Sequence, residues 1–342
     1  MNNSPFFLKP TSVQSVMLRV MAALIPGIAA YVWFFGAAIL VQLALASVAA
    51  LAAEALMLSL RGKPLTLFLT DGSALVTAWL IALTFPSIAP WWLTVFATVA
   101  AIVIAKHLYG GLGQNPFNPA MVAFALMIVA YPQLMSQWPA AGNHEFAAQL
   151  QAIFGTRTID AIDAMTMATP LDALRTALHS AEAKTTVAGA LQSSTASGQF
   201  GGKGWEWVGV GYLLGGLWLI QQRIITWHMP AAFIAALFVL AGLFSLVDST
   251  QFAGPMFHLF TGGAMLGAFF IVTDPVSGAT TPRGKLIFAA GVGLLTWVIR
   301  TFGAYPDGIA FAVLLMNITA PLIDLATQPP VFGHKNDKGQ TP

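Results

Sequence analysis

The chain has 342 residues, 57% of them hydrophobic and only 8% charged, with a formal net charge of +2 and no cysteine. Ordinary globular domains carry roughly a quarter charged residues, so a soluble protein of this length is excluded, because it would lack the polar surface needed to stay dispersed. The absence of cysteine excludes disulfides, iron–sulfur clusters and thiolate zinc sites within the chain, and the small net charge gives no reason to expect a nucleic-acid partner.

Runs of nearly uncharged residues long enough to cross a hydrocarbon core recur along the sequence. They are too long and too uniformly apolar for barrel strands, and helices satisfy their own backbone in lipid. The expectation is an all-α polytopic membrane protein of about ten transmembrane helices. The start, Pro5 to Lys9, mixes aromatic residues with a cation and suits either a membrane surface or a short tail. The run Val16 to Phe35 shows no small-residue cleavage site and reads as a retained span rather than a signal peptide. Spans over 38–59, 68–85, 91–108 and 119–136 complete a first membrane half, residues 1–137. A polar interruption occupies 138–206. Spans over 207–221, 229–246, 256–273, 285–302 and 308–326 form a second half, residues 207–328, followed by a tail, 329–342.

Charge placement orients these spans. With the N-terminus inside, Lys9, Arg19, Arg61, Lys63, Lys106, Arg223, Arg283, Lys285, Lys335 and Lys338 gather on the inner side. The short outer loops at Gly36, Pro86–Pro90 and Val247–Pro255 contain no Lys or Arg. By the positive-inside rule both termini are cytoplasmic and 138–206 is external.

The halves share a pattern. Leu83-Thr84-Phe85-Pro86, Lys106, Ala123-Phe124-Ala125 and Tyr131-Pro132 in the first answer to Val272-Thr273-Asp274-Pro275, Arg300, Ala310-Phe311-Ala312 and Ala320-Pro321 in the second. An odd number of spans per half makes this an inverted repeat, which places a pathway near the midplane. Breaker-rich stretches at Asp71-Gly72-Ser73, Gly110 to Pro119 and Gly303 to Gly308 read either as ordinary loops or as non-helical backbone lining a site. Polar residues inside the membrane are functional candidates. Glu54, Asp71, Asn118, Asp307 and Asn317 are candidate ion-pathway residues, with Asp324 beside them. Glu54 also lies about two turns before Arg61, as a salt-bridge partner would. Lys106 and Arg300 are expected to snorkel to opposite faces. His107, His228 and His258 lack metal-ligand spacing, so no metal site is expected.

Within the interruption, Thr166-Met167-Ala168-Thr169-Pro170-Leu171-Asp172 supports two readings. Thr169 followed by Pro170 suits a helix N-cap with proline at the first helical position. A threonine hydroxyl without an adjacent base is a poor nucleophile, so its chemical reading is an acceptor for covalent modification. The segment Ala181 to Gly204, rich in Ser, Thr and Gly, reads as a flexible or partner-bound linker. Arg175 and Lys184 read first as solvated cations on a polar loop, and as phosphate partners only if the segment is modified with a phosphoryl group.

Three stretches resemble the RnfD family, a membrane component of the Rnf electron-transport complex that is related to a membrane component of the sodium-pumping quinone reductase. They are Gly111-Leu112-Gly113-Gln114-Asn115-Pro116-Phe117-Asn118-Pro119-Ala120, Thr273 to Gly284, and Tyr305 to Asn317. The resemblance implies an inner-membrane subunit, not catalytic alone, that relays electrons between other Rnf subunits coupled to Na⁺ or H⁺ translocation in a ferredoxin:NAD⁺ oxidoreductase. It implies FMN joined by a phosphodiester to Thr169, attached by a flavin transferase, and a non-covalent riboflavin. The family's Ser/Thr-Gly-Ala-Thr motif is altered here, with Met167 in place of glycine and Thr166 at its start. Ser277-Gly278-Ala279-Thr280 matches that motif literally but falls on the inner side. There Thr280, Asp274 and Arg283 are secondary candidates for holding a flavin. Two rival readings are a solute channel on the same repeat and a structural membrane anchor for redox subunits.

Overall fold

A computed structural model describes residues 12–142, 145–179, 185–305 and 307–329. The expected surface segment Pro5–Lys9, the cation Lys184 and the tail from 330 onward lie outside the described residues. The described residues form helices and two isolated β-bridges, with no strand among them.

Five helices are long and apolar enough to cross a membrane: α1 (Val13–Phe35), α2 (Ala38–Leu60), and, in the second half, three that pack together as described below. Between α2 and the interruption lie α3 (Ser73–Thr84), α4 (Trp91–Ala100) and α5 (Pro119–Ala130). The polar interruption carries α6 (Phe146–Phe154), α7 (Pro170–His179) and α8 (Val187–Ser193). The second half contributes α9 (Trp205–Gln221), α10 (His228–Val247), α11 (Pro255–Phe260), α12 (Pro282–Phe302) and α13 (Ile309–Thr327). The most apolar stretch of α10 has a mean hydropathy of 2.4, yet only 22% of it is buried. The remainder faces outward, which hydrocarbon tolerates and water does not.

Three expected spans are not continuous helices. The stretch 68–85 divides at Thr70–Gly72, between a turn at Leu65–Leu69 and α3. The stretch 119–136 divides at Tyr131. The stretch 256–273 divides at Thr261-Gly262-Gly263, after which Ala264–Leu266 continues as the π-helical Gly267–Ile271. Left-handed glycines mark two of these breaks, Gly72 at φ 80° and Gly262 at φ 59°. A side chain at either would be strained.

Packing crosses the two halves. α1 runs along α9, and α5 meets α13, while α2 packs on α3 and α10 on α12. The α1–α9 crossing depends on small residues. A Cβ on Gly215 would lie 1.8 Å from the Ala23 carbonyl oxygen, and one on Gly211 would lie 2.7 Å from Gly27 Cα. Close backbone approach through glycine is a common way for membrane helices to gain contact, since burial of apolar surface gives no advantage over lipid. Gly242, on the outer face of α10, has open space where a Cβ would go. Gly215→Ala is therefore expected to destabilise the fold by ~1–3 kcal/mol through overpacking. Gly242→Ala should be neutral or slightly stabilising, and apparent melting temperatures of the detergent-solubilised variants check both.

Candidate functional site

Two cavities open at opposite ends of α3. The outer one, with about 1150 Å³ of space including its open mouth, is lined by Tyr31, Met121, Phe124, Trp138, Thr169, Trp205 and Asp307. It also takes in Leu83 and Thr84, at the C-terminal end of α3. The inner one, about 1390 Å³ on the same measure, is lined by Ser73, Lys106, Asn118, Phe269, Asp274, Thr280 and Lys285. Ser73 begins α3. Val76, Thr77 and Leu80 line this cavity too, so it extends along α3 to within one turn of Leu83.

Thr169 stands at the outer cavity. Pro170 opens α7, whose first-turn acid is Asp172. The Asp172 N–H donates to Thr169 Oγ1 at 3.2 Å, and the Ala173 N–H donates to the Thr169 carbonyl at 2.8 Å. The hydroxyl oxygen thus accepts a cap bond, in line with the Thr-Pro pattern. The approach to Thr169 is fixed by a short antiparallel pairing. Ala140 N–H donates to the Met165 carbonyl at 2.9 Å and Met167 N–H to the Trp138 carbonyl at 3.0 Å, around a bridge between Pro139 and Thr166. Thr166 is half-buried in that pairing and lines neither large cavity. Thr169 also lines a second, smaller notch of about 260 Å³, shared with Met167, Thr195 and Lys203. Trp138, Pro170 and Trp205 line both spaces, so the notch adjoins the aromatic wall of the larger cavity. Trp138 and Trp205 meet edge to face at 5.3 Å, and Trp205 meets Tyr31 at 5.5 Å and Phe35 at 4.5 Å.

The outer cavity is tied to the break at Gly262. Arg300, buried in α12, donates to the carbonyls of His258 at 2.6 Å and Thr261 at 3.2 Å. Its guanidinium also lies 3.2 Å from Asp307 Oδ1, while Asp307 Oδ2 accepts from the Gly263 N–H at 2.8 Å. Arg300 does not snorkel. It satisfies the carbonyls left bare where the helix ends.

The first half repeats the device with other residues. Lys106, also buried, donates to both carboxylate oxygens of Glu54 at 2.9 Å and to Ser73 Oγ at 2.9 Å, at the start of α3. His107 Nε2 lies 3.1 Å from Glu54 Oε2, and His107 Nδ1 lies 3.2 Å from the Arg61 guanidinium. The His107 ring thus lies between the Arg61 guanidinium and the Glu54 carboxylate. Glu54 thus pairs with Lys106 rather than Arg61, and Lys106 points inward rather than to the interface. Asp71 Oδ1 accepts from the Ser73 hydroxyl at 2.7 Å and joins the same network.

Asn118, Asn317 and Asp274 form a second cluster at the inner cavity. Asn118 caps α5 through Oδ1, accepting from Ala120 N–H at 3.0 Å and Met121 N–H at 3.2 Å. Its own N–H donates to Asn317 Oδ1 at 3.1 Å. Asn317 Nδ2 donates to the Ser277 carbonyl at 2.9 Å, and the Ser277 hydroxyl donates to Asp274 Oδ2 at 2.7 Å. Thr280 is engaged differently. Its hydroxyl donates to Asp324 Oδ2 at 2.8 Å and its N–H to Asp324 Oδ1 at 2.9 Å. Arg283 is exposed in the first turn of α12, and Lys285 is the cation of that turn that lines the inner cavity.

A model of the NQR2, RnfD, RnfE family matches residues 1–333. The chain belongs to that family. It is 47% identical to the D component of the ion-translocating oxidoreductase complex of Escherichia fergusonii, over 97% of this chain and 98% of that one. It is 48% identical to the protein of the same name from Alcanivorax borkumensis, over 99% and 98%. The corresponding Aeromonas hydrophila protein is also 48% identical, over 97% of each chain. The family's breaker-rich motifs fall where this structure bends: Gly110, Gly111 and Gly113 take positive φ before Asn118 caps α5.

Removing one partner of the buried Glu54–Lys106 pair leaves an uncompensated charge. Lys106→Met is expected to destabilise the protein by ~3–5 kcal/mol. The double variant Glu54→Leu with Lys106→Met should recover most of that loss, and thermal unfolding in detergent distinguishes the two.

Proposed function

We propose that this chain is the RnfD component of an ion-translocating oxidoreductase complex of the ferredoxin:NAD⁺ type. In this reading it carries FMN joined to Thr169 by a phosphodiester and relays electrons between partner subunits, coupled to outward movement of Na⁺ or H⁺. The supporting observation is that Thr169 lines both an aromatic-walled cavity and an adjoining notch that carries Lys203 and Thr195. FMN has the same division, with an anionic phosphate at one end and a planar, largely apolar ring at the other. When bound, the flavin takes up one or two electrons and so bridges carriers of different electron number.

The chain's own residues tether, orient and shield. Trp138, Trp205 and Tyr31 form a wall that limits water around a bound ring. Attachment requires Thr169 Oγ1 to form a bond to phosphorus while the P–O bond to the leaving phosphate of an activated flavin phosphoanhydride breaks. The hydroxyl proton is released, and the flavin's oxidation state is unchanged. No basic side chain bonds to Thr169 among the described residues, so activation belongs to a separate flavin transferase. Thr280 is the weaker acceptor because in this topology it lies on the inner side, beside Arg283 and Lys285, away from a transferase that acts outside.

The inner cavity is the place for a non-covalent riboflavin. Its apolar walls carry Asn118, Asp274 and Lys285, a set of donors and acceptors suited to a polar ring edge. Glu54 and Asp71, behind that cavity, and Asn317, beside Asn118, are the inner candidates for the ion path; Asp307 is the outer one. The paired breaks at Gly72 and Gly262, each held by a buried cation from the penultimate helix of its half, support a ten-helix inverted repeat. In that arrangement both termini are cytoplasmic, 138–206 is periplasmic, and lipid of the inner membrane covers the outer faces.

Flavin fluorescence in a denaturing gel tests the tether, after co-expression of the complex with a flavin transferase. The expected result is a fluorescent band that persists in Thr280→Ala and disappears in Thr169→Ala. A band lost in Thr280→Ala alone would overturn both the site and the topology.

A further inference from the structure

The segment ahead of α9 is a built hairpin rather than a linker. The Gly198 N–H donates to the Gly201 carbonyl at 2.8 Å, and the Lys203 N–H donates to the Ala196 carbonyl at 2.8 Å. Glu206, buried in the first turn of α9, holds the tip. Its carboxylate accepts from the N–H groups of Phe200 at 3.1 Å, Gly201 at 3.2 Å and Gln199 at 3.4 Å. The hairpin lies directly against the modification segment. A Cβ on Gly202 would stand 2.2 Å from Pro170 Cγ, so glycine is required for this approach. Gly204 takes φ +81° where the chain turns past Phe34 and Phe35 into α9. This geometry brings Lys203 to the notch that Thr169, Trp138 and Trp205 also line. Among the described residues, no carboxylate pairs with the Lys203 ammonium. Arg175 is directed elsewhere, donating to the Ala304 carbonyl. Asp172, the nearest acid in sequence, lines the outer cavity rather than the notch.

We infer that Lys203 is the anion-binding residue of the attachment site, its ammonium neutralising the phosphoryl group joined to Thr169. The inference rests on Thr169 being the flavin acceptor. A phosphodiester set at the start of α7 would carry one negative charge beside Asp172, which disfavours it. The α7 N-terminus and a lysine held in the notch offset that repulsion. The Glu206 carboxylate acts through the hairpin, as a positioning residue for Lys203 and Pro170.

The test follows flavin incorporation into the assembled complex, co-expressed with the transferase, by in-gel fluorescence normalised to the amount of this chain in the membrane. Lys203→Glu is expected to slow incorporation about tenfold and Lys203→Ala about threefold, with Lys203→Arg near the parent, since the effect is one of charge. With purified components, high salt should reduce the difference between parent and Lys203→Ala. Parental rates in Lys203→Glu would overturn the inference while leaving the tether intact. Equal losses in Lys203→Ala and Lys203→Arg would overturn it too, by pointing to packing instead of charge. Absence of flavin from the parent, or its persistence in Thr169→Ala, would instead overturn the reading on which the inference rests.

Discussion

Two cations buried in an apolar bundle, Lys106 and Arg300, fix the rest of this architecture. A charge inside a membrane is tolerated only when it is paired and hydrogen-bonded. Each of these spends its donors on two tasks at once. Lys106 pairs with Glu54 and reaches Ser73, while Arg300 pairs with Asp307 and reaches the Thr261 carbonyl. The ion pair keeps the cation in place, and the cation then stabilises a helix interruption that lipid alone would not permit. The equivalence is one of role rather than sequence, because the carboxylate comes from α2 in one half and from the start of α13 in the other.

Those interruptions border the cavities. Gly262 and Gly263 line the outer one, and Ser73, directly after the other break, lines the inner one. Gly262 also serves the polar segment that carries α7. A Cβ there would meet Leu171 of α7 at 2.8 Å and Asp307 Oδ2 at 2.4 Å. The helix that Thr169 caps is therefore seated on the broken segment itself. Leu171 and Leu174 share a small apolar cluster with Phe257 of α11. The position of the candidate flavin acceptor relative to the membrane is thus set by the same break that Arg300 and Asp307 maintain.

Local features are legible in the sequence. Thr169 and Pro170 announce a helix start, Asn118 and Pro119 announce another, and glycine clusters mark Asp71–Ser73 and Gly110–Gly113. Features that depend on contacts distant in sequence are not legible. Glu54 and Lys106 lie 52 residues apart, so Arg61, close behind Glu54 in the chain, is the partner that sequence spacing favours. The break at Gly262 is hidden because it is flanked by Phe260 and Ala264-Met265-Leu266, which keep the hydropathy of a span. Lys203 falls in a stretch that reads as a linker because a Gly- and Ser-rich composition describes a tight hairpin and a flexible tether equally well. Only the buried Glu206 decides between them.

The proposed double duty of Thr169 raises an apparent conflict, since a hydroxyl that caps a helix is already engaged. The geometry resolves it. The cap bond uses a lone pair of Oγ1 as acceptor from Asp172 N–H, and this leaves the hydroxyl proton free to be replaced. An ester oxygen is a weaker acceptor than a hydroxyl, but the phosphoryl group adds negative charge where the α7 macrodipole is positive. Thr280 has the opposite arrangement. Its hydroxyl proton is the group already committed, to Asp324 Oδ2, so substitution at that oxygen would break the bond that holds the turn. A carboxylate that accepts the hydroxyl proton is also the base that a threonine nucleophile needs, so the bond to Asp324 ties Thr280 into its turn without lowering its reactivity. The choice between the two threonines therefore rests on which of them a transferase can reach, and neither hydrogen bond decides it.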